Sequence, residues 1–293
     1  MNNDVLRGCG TALVTPFRDG EVDYEAFAAL VDYQIKGGVD FLVPLGTTGE
    51  TPCLTDEEKV RVLSIAKEHS CGRPVVAGVG TNSLEHTLAN IRLLEPYGVD
   101  VFLVVVPYYN KPPQEGMYRY FKAVAEATRK PVLLYNVPGR TGANLEAATT
   151  LRLAEIENII GIKEASGRRE QILEVIEGRP EGFLVLSGND DETFPLMQAG
   201  ADGVISVASK IAPEPVAELT HAMLEGNVEK ASGLHEMLSP LFCNCFVESN
   251  PIPAKAALAA MGMMQNELRL PLVPAQQPTY DLMVETIKEL KLL

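Results

Sequence analysis

The chain has 293 residues, a length sufficient for one large α/β domain with a substantial core. Hydrophobic residues make up 46% of the chain and charged residues 22%. Its formal net charge is -14, and such an excess of carboxylates repels a phosphate backbone, so nucleic acid is not expected as a partner. No signal peptide is expected, because the N-terminus has no charged segment followed by an apolar one. No membrane span is expected either, because the longest apolar stretch, near Val99–Val106, is far shorter than the roughly 20 residues that a membrane-spanning helix needs.

Short β-branched runs alternate with helical patterns at a repeat of roughly 25–30 residues, which is typical of βα units in a parallel sheet. The expected strands are Gly10–Val14, Phe41–Pro44, Pro74–Ala77, Val101–Val105, Val132–Tyr135, Ile159–Ile162, Phe183–Leu186 and Gly203–Ser206. The expected helices are Tyr24–Lys36, Asp56–His69, Leu84–Leu94, Gln114–Ala127, Leu145–Ala154, Arg168–Ile176, Asp191–Gln198 and Pro213–Leu224. This order favours a closed (β/α)8 TIM barrel over a doubly wound sheet, because the first strand runs into Thr15-Pro16-Phe17 and not into a glycine-rich nucleotide-binding turn.

After about Gly226 the pattern is helical only. We therefore expect a catalytic barrel in residues 1–226 and a C-terminal helical region in residues 227–293 that packs on the barrel or on a neighbouring subunit. Asn250–Pro253 is expected to be a turn that begins an alanine-rich helix through Met261. A last helix is expected near Tyr280–Leu290.

The reactive groups of a TIM barrel lie at the C-terminal ends of its strands. The four histidines fall on expected helices, which argues against metal clusters of histidine and carboxylate and against a Ser-His-Asp arrangement. The five scattered cysteines form neither a disulfide framework nor a zinc set, and free thiols fit a reducing cytoplasm. Lysine, tyrosine, threonine and arginine remain, and this set suits covalent amine catalysis.

Lys163 and Tyr135 end two consecutive expected strands. A lysine directed inward at an apolar strand end loses hydration, which lowers its pKa and lets the neutral amine attack a ketone to form an imine. A lysine that reaches from the strand end to solvent is an equal alternative on spacing alone. The Tyr135 phenol can reach the Lys163 amine and shuttle protons, whereas an aromatic ring that only covers the core is the alternative.

Three loops after strands carry further polar groups. The segment Gly46–Glu50 combines glycines with two hydroxyls and can hold a carboxylate. Arg140 offers a guanidinium fork that matches a carboxylate, although an exposed arginine without a partner fits the spacing equally well. Tyr108 and Tyr109 lie in a loop that contains prolines, and a subunit contact is the favoured interpretation because tyrosine is enriched at interfaces.

Several segments, in order along the chain, resemble one family closely: GTALVTPF, GTTGE, PYYNKPPQEG, LYNVPGRTG, GIKEASG, LSGND, GVISV and NPIPAK. That family is the pyruvate-dependent class I aldolases, which include 4-hydroxy-tetrahydrodipicolinate synthase and N-acetylneuraminate lyase. The resemblance covers essentially the whole chain. Arg140 favours the dipicolinate synthase branch, because the second substrate of that branch, L-aspartate 4-semialdehyde, brings its own carboxylate. An aldolase or lyase of a sugar-derived 2-keto acid is the alternative.

The resemblance implies a catalytic role for four residues. Lys163 would form the imine with pyruvate, and Tyr135 would relay protons through Thr47 to Tyr109, which would reach in from a neighbouring subunit. The implied assembly is a homotetramer built from tight dimers. The protonated imine is the electron sink, so neither a metal nor an organic cofactor is implied.

The resemblance also implies how the substrates are held. Thr48 would hold the carboxylate of pyruvate, and Arg140 would bind the carboxylate of L-aspartate 4-semialdehyde. The backbones of Gly188 and Ile205 would lie at the lysine. The chain departs from the family at Asn189, where aspartate is frequent, and we assign no function to this change.

A larger departure lies at the site where some members of the family bind lysine as an inhibitor. The corresponding positions here are Thr51, Pro52, Asp56, Lys59, Asn82, His86 and Tyr108. Members that respond to lysine tend to have histidines at the third and fourth positions and a carboxylate at the sixth. Lys59 would repel an ammonium group and His86 cannot replace the carboxylate, so we expect weak or absent inhibition by lysine.

Overall fold

The computed structural model describes residues 3–293. Its main sheet contains eight parallel strands: β1 (Gly8–Ala12), β2 (Phe41–Val43), β3 (Val76–Gly78), β4 (Val101–Val105), β5 (Val132–Asn136), β6 (Ile159–Glu164), β7 (Leu184–Ser187) and β8 (Gly203–Ser206). A helix follows each strand: α1 (Tyr24–Lys36), α2 (Asp56–Glu68), α3 (Leu84–Leu94), α4 (Gln114–Glu126), α5 (Ala147–Ala154), α6 (Arg169–Gly178), α7 (Asp190–Gln198) and α8 (Pro213–Leu224).

The strands close into a barrel. They pair in the order β2-β1-β8-β7-β6-β5-β4-β3, and every one of these pairs is parallel. The ring closes through a parallel bridge between Leu42 and Val75, beside which the Leu42 N–H donates to the Pro74 carbonyl at 3.0 Å. The predicted (β/α)8 TIM barrel is therefore confirmed.

Several bounds differ from the sequence prediction. We predicted the first strand at Gly10–Val14, but β1 begins at Gly8 because it pairs there with Gly203 of β8. A hairpin of Phe17–Arg18 and Glu21–Val22 was not predicted, since strands of two residues are too short to show an alternating pattern. Helix α2 begins with a capping box, in which the Thr55 hydroxyl accepts from the Glu58 N–H and the Glu58 carboxylate accepts from the Thr55 N–H.

The core has two layers. Apolar side chains of the strands fill the barrel, among them Phe41, Leu103, Leu133, Leu186 and Ile205. A larger layer packs between the strands and the surrounding helices. A ligand enters a barrel of this kind at the C-terminal ends of its strands.

The C-terminal residues form three more helices: α9 (Val228–Asn244), α10 (Ile252–Ala260) and α11 (Gln277–Glu289). Helix α9 packs on α7 and α8, and α11 packs on α9 and α10. Helix α11 begins before the predicted Tyr280 because Pro278 fits the first turn. The boundary between residues 226 and 227 stays a prediction. No helix within residues 3–293 has the length and apolar character needed to cross a bilayer.

Candidate active site

Lys163 is directed into the barrel near the end of β6, which is the inward one of the two orientations that the sequence left open. It is only 6% exposed, and it pairs in register with Tyr135 of β5. Its Nζ lies 4.4 Å from the centre of the Tyr135 ring. A Cβ atom at Gly188 would lie 3.0 Å from Lys163 Cε and 2.6 Å from the Ala165 side chain. Glycine at that position therefore leaves room for the lysine and for a group attached to it.

The surroundings of Lys163 favour its neutral form. Burial lowers the pKa of its amine to about 8, because the charged form loses hydration. The nearby Asp190 carboxylate opposes this shift, and the positive charge of Arg140 adds to it. At a given pH near neutrality a larger fraction of this amine is therefore neutral than of an ordinary exposed lysine, which suits a nucleophile.

Tyr135 and Thr47 meet beside the lysine. The Tyr135 side chain is buried. Burial raises the pKa of its phenol, while the positive charge of Arg140 and the nearby Thr47 side chain partly offset the rise. The phenol therefore stays protonated near neutral pH and can donate to, or relay a proton from, an oxygen bound at Lys163.

The loop that carries Thr47 and Thr48 follows β2 as a short 3-10 turn, Thr47–Gly49. It is tied at both ends by side-chain hydrogen bonds: Thr51 donates to the Gly46 carbonyl at 2.9 Å, and Thr15 donates to the Gly49 carbonyl at 2.8 Å. Thr48 is buried, and its hydroxyl oxygen accepts from Asn250 Nδ2 at 2.9 Å. The turn and the Thr48 hydroxyl are thus held in place by hydrogen bonds.

A buried ion pair holds the end of the same loop. Lys255 Nζ of α10 donates to Glu50 Oε1 at 2.5 Å, and both side chains are excluded from solvent. The Arg269 N–H donates to the other oxygen of Glu50 at 3.0 Å. Neither Lys255 nor Arg269 was identified from the sequence. The C-terminal region, through α10 and the segment after it, thus contacts the loop of Thr47 and Thr48 directly.

Two neighbouring cavities lie at these residues. The inner one, which we call the reaction cavity, has a volume of about 50 Å³. Its lining comprises Ala12, Val43, Gly46, Thr47, Thr48, Leu103, Tyr135, Val137, Arg140, Lys163, Ala165, Gly188, Asn189, Val207, Phe246 and Asn250. The outer cavity has a volume of about 440 Å³ and shares Thr47, Tyr135, Arg140 and Asn250 with the reaction cavity. Ile205 lies fully buried in the inner layer of the barrel.

Tyr109 does not reach the site of its own chain. Its side chain is 86% exposed, and its backbone has a φ of 74°, in the left-handed region. Its N–H donates to the Thr141 carbonyl at 3.2 Å, which holds the loop next to the outer cavity. The structure therefore brings together Thr47 and Tyr135 of the predicted relay and leaves the Tyr109 ring facing outward.

The seven positions that correspond to the lysine-inhibition site of some family members are only partly brought together within one chain. Four of them line the outer cavity: Thr51, Pro52, Lys59 and Tyr108. Lys59 Nζ pairs with Asp56 Oδ1 at 2.9 Å on the surface of α2. Asn82 and His86 are not part of that lining.

Asp190 is a further buried residue near the lysine that was not identified from the sequence. One carboxylate oxygen accepts from the N–H groups of Val207 and Ala208 at 2.9 and 3.0 Å, and the other accepts from the Ser206 hydroxyl. The carboxylate thus fixes the turn after β8 next to the reaction cavity. The sequence signals for it were its place after an expected strand and its position in the segment LSGND. Among residues 3–293 no group of three or more histidine, cysteine, aspartate or glutamate side chains is placed to hold a metal ion.

Comparison with known proteins identifies relatives over the whole chain. Residues 5–290 match the model of the dihydrodipicolinate synthetase family. The 4-hydroxy-tetrahydrodipicolinate synthase of Thermotoga neapolitana is 49% identical and covers 99% of this chain and 100% of its own. That of Parabacteroides distasonis is 47% identical over 98% of each chain. The crystal structure of dihydrodipicolinate synthase from Thermotoga maritima, 47% identical, superposes with a TM-score of 0.97 over 99% of this chain and 100% of the other.

Proposed function

The chain belongs to the dihydrodipicolinate synthetase family, and we propose that it performs the synthase reaction of that family through an imine between Lys163 and pyruvate. It is an enzyme of the lyase class that acts in lysine and diaminopimelate biosynthesis. The main support for the role of Lys163 is its burial beside the Tyr135 ring, which lowers the pKa of the Lys163 amine to about 8.

The first half of the reaction forms the imine. The neutral Lys163 amine attacks the ketone carbon of pyruvate, and Tyr135 supplies the proton that lets the ketone oxygen leave as water. The Thr48 hydroxyl and the neighbouring N–H groups of its turn hold the carboxylate of pyruvate. Loss of a methyl proton then converts the imine to an enamine, with the positively charged nitrogen accepting the electron pair.

The second half forms a carbon–carbon bond. The enamine carbon attacks the aldehyde carbon of L-aspartate 4-semialdehyde, and the aldehyde oxygen takes up a proton from the Tyr135–Thr47 pair. The amino group of this substrate then attacks the imine carbon and displaces Lys163, which closes the ring and gives 4-hydroxy-tetrahydrodipicolinate. Arg140 lines both cavities and is placed to bind the carboxylate of the second substrate.

Tyr109 is the part of the relay that one chain does not supply. Its exposed ring and its loop beside the outer cavity are compatible with insertion into the site of a second copy. We therefore include a homotetramer of tight dimers in the proposal, with assembly a condition of full activity. The five free cysteines fit a reducing cytoplasm.

The alternative activity, aldol cleavage of a sugar-derived 2-keto acid, uses the same imine. The relatives at 47% to 49% identity carry the synthase name, which favours the synthase. A direct comparison tests this choice: turnover of pyruvate with L-aspartate 4-semialdehyde against cleavage of N-acetylneuraminate and 2-keto-3-deoxygluconate. We expect turnover in the first assay only, and efficient cleavage of either sugar acid would overturn the proposal.

A further inference from the structure

Asn250 lies in the segment between α9 and α10, where the chain passes over the C-terminal end of the barrel. It is 5% exposed and lines both the reaction cavity and the outer cavity. Its Nδ2 donates to Thr48 Oγ1 at 2.9 Å, and its backbone carbonyl accepts from Arg140 Nη2 at 3.4 Å. Asn250 therefore contacts both residues that are proposed to bind the two substrate carboxylates.

The contact with Thr48 sets the direction of its hydroxyl. Because Thr48 Oγ1 accepts a hydrogen bond from Asn250, its own proton is free to donate to another group. The carboxylate of pyruvate, bound at Lys163, is an acceptor without any donor. Asn250 thus orients the Thr48 hydroxyl for that carboxylate.

The other end of the Asn250 amide is unused. Its Oδ1 is buried and has no hydrogen-bond partner among residues 3–293. A buried carbonyl oxygen without a donor is unfavourable, so a ligand that brings an N–H to this oxygen would gain a hydrogen bond and remove that cost. Pyruvate has no such group, whereas L-aspartate 4-semialdehyde carries an ammonium group between its aldehyde and its carboxylate.

We propose that Asn250 is a specificity-determining residue that accepts a hydrogen bond from the amino group of the second substrate through Oδ1, while its Nδ2 orients Thr48. The amide selects an amino-acid aldehyde over an aldehyde that has the same carboxylate without the amine. This inference rests on the proposed function.

The first test compares two aldehydes in the wild-type enzyme and in Asn250→Ala at saturating pyruvate. L-aspartate 4-semialdehyde is the substrate, and succinate semialdehyde, which lacks only the amino group, is the competitive probe. A hydrogen bond to a charged group corresponds to a factor of about 10–100. We expect kcat/KM for L-aspartate 4-semialdehyde to fall by about that factor, with the inhibition constant of succinate semialdehyde changing less than about threefold. Equal losses for the two aldehydes, or no loss, would overturn the inference.

Asn250→Asp is a second variant, nearly isosteric and so the less disruptive to folding. The Asp carboxylate cannot donate to Thr48, so the Thr48 hydroxyl must turn its proton toward this carboxylate and away from pyruvate. The other carboxylate oxygen still attracts the ammonium group of the second substrate. We expect the KM for pyruvate to rise about tenfold or more and the KM for L-aspartate 4-semialdehyde to stay level or fall. The reverse pattern contradicts the assignment.

Borohydride reduction with pyruvate alone separates this inference from the proposed function. Both variants keep Lys163 and are expected to give its reduced pyruvate adduct at saturating pyruvate. If the wild-type enzyme gives the adduct and the two aldehydes respond equally to Asn250→Ala, only the role of Asn250 fails. If the wild-type enzyme gives no adduct, the proposed function fails first.

Discussion

Replacing Lys255 with methionine is expected to destabilise the protein, because it leaves the Glu50 carboxylate buried without its cation. The two side chains are excluded from solvent, and Lys255 Nζ lies 2.5 Å from Glu50 Oε1. Removing one member of such a pair costs about 3–5 kcal/mol. The Arg269 N–H remains as a donor to Glu50, so we expect a loss near the lower value, about 3 kcal/mol. For a chain of this size that loss lowers Tm by about 6–12 °C.

Thermal and urea unfolding at one fixed protein concentration measures this loss. The matched control is the double variant Lys255→Met, Glu50→Gln. Glutamine removes the buried, unpaired charge of Glu50 and keeps an oxygen that can accept from the Arg269 N–H. We expect the double variant to recover at least about half of the lost free energy, since a buried pair can often be replaced by neutral groups at little cost. A loss below about 1 kcal/mol in the single variant, or no recovery in the double variant, would refute this account of the ion pair.

Three further predictions concern the reaction. The positive charge of Arg140 lowers the pKa of Lys163, and Arg140→Met removes that charge. We therefore expect the pH midpoint of adduct formation with pyruvate to move above about 8. A lower or unchanged midpoint would contradict the effect of Arg140 on the lysine pKa. Tyr109→Phe is expected to reduce turnover by about 10-fold or more while gel filtration shows unchanged assembly, and full activity would remove Tyr109 from the relay. Lysine at sub-millimolar concentration is expected to leave the steady-state rate unchanged because His86 cannot replace the carboxylate that would pair with its ammonium group, and inhibition there would refute that reasoning.

The barrel could be predicted because most of its strands are short apolar runs that are buried on both faces. β4 and β8 have the predicted bounds, as do helices α1, α3 and α8. Lys163 and Tyr135 could be identified because the ends of parallel strands meet at one face of a barrel, so adjacent strand ends place their side chains in contact. The direction of the Lys163 pKa also followed from burial alone.

The supports of the site could not be predicted, because they join distant parts of the chain. Asn250 and Thr48 are separated by 202 positions, and Lys255 and Glu50 by 205. Hydrophobic periodicity predicts where a helix or a strand lies in the sequence. It does not predict which residue of a distant element contacts that helix or strand in the folded chain. We expected the C-terminal region only to pack on the barrel or on another subunit, yet it supplies a wall of the reaction cavity.

The most direct measurement of the central claim is reduction with borohydride in the presence of pyruvate, followed by mass mapping of every lysine. Burial also lowers the pKa of Lys210 and Lys255 to about 8, but neither lines the reaction cavity. They therefore serve as internal controls for amine reactivity alone. We predict a single reduced pyruvate adduct on Lys163. No adduct there, or labelling of Lys210 or Lys255 in its place, would contradict the proposed imine mechanism.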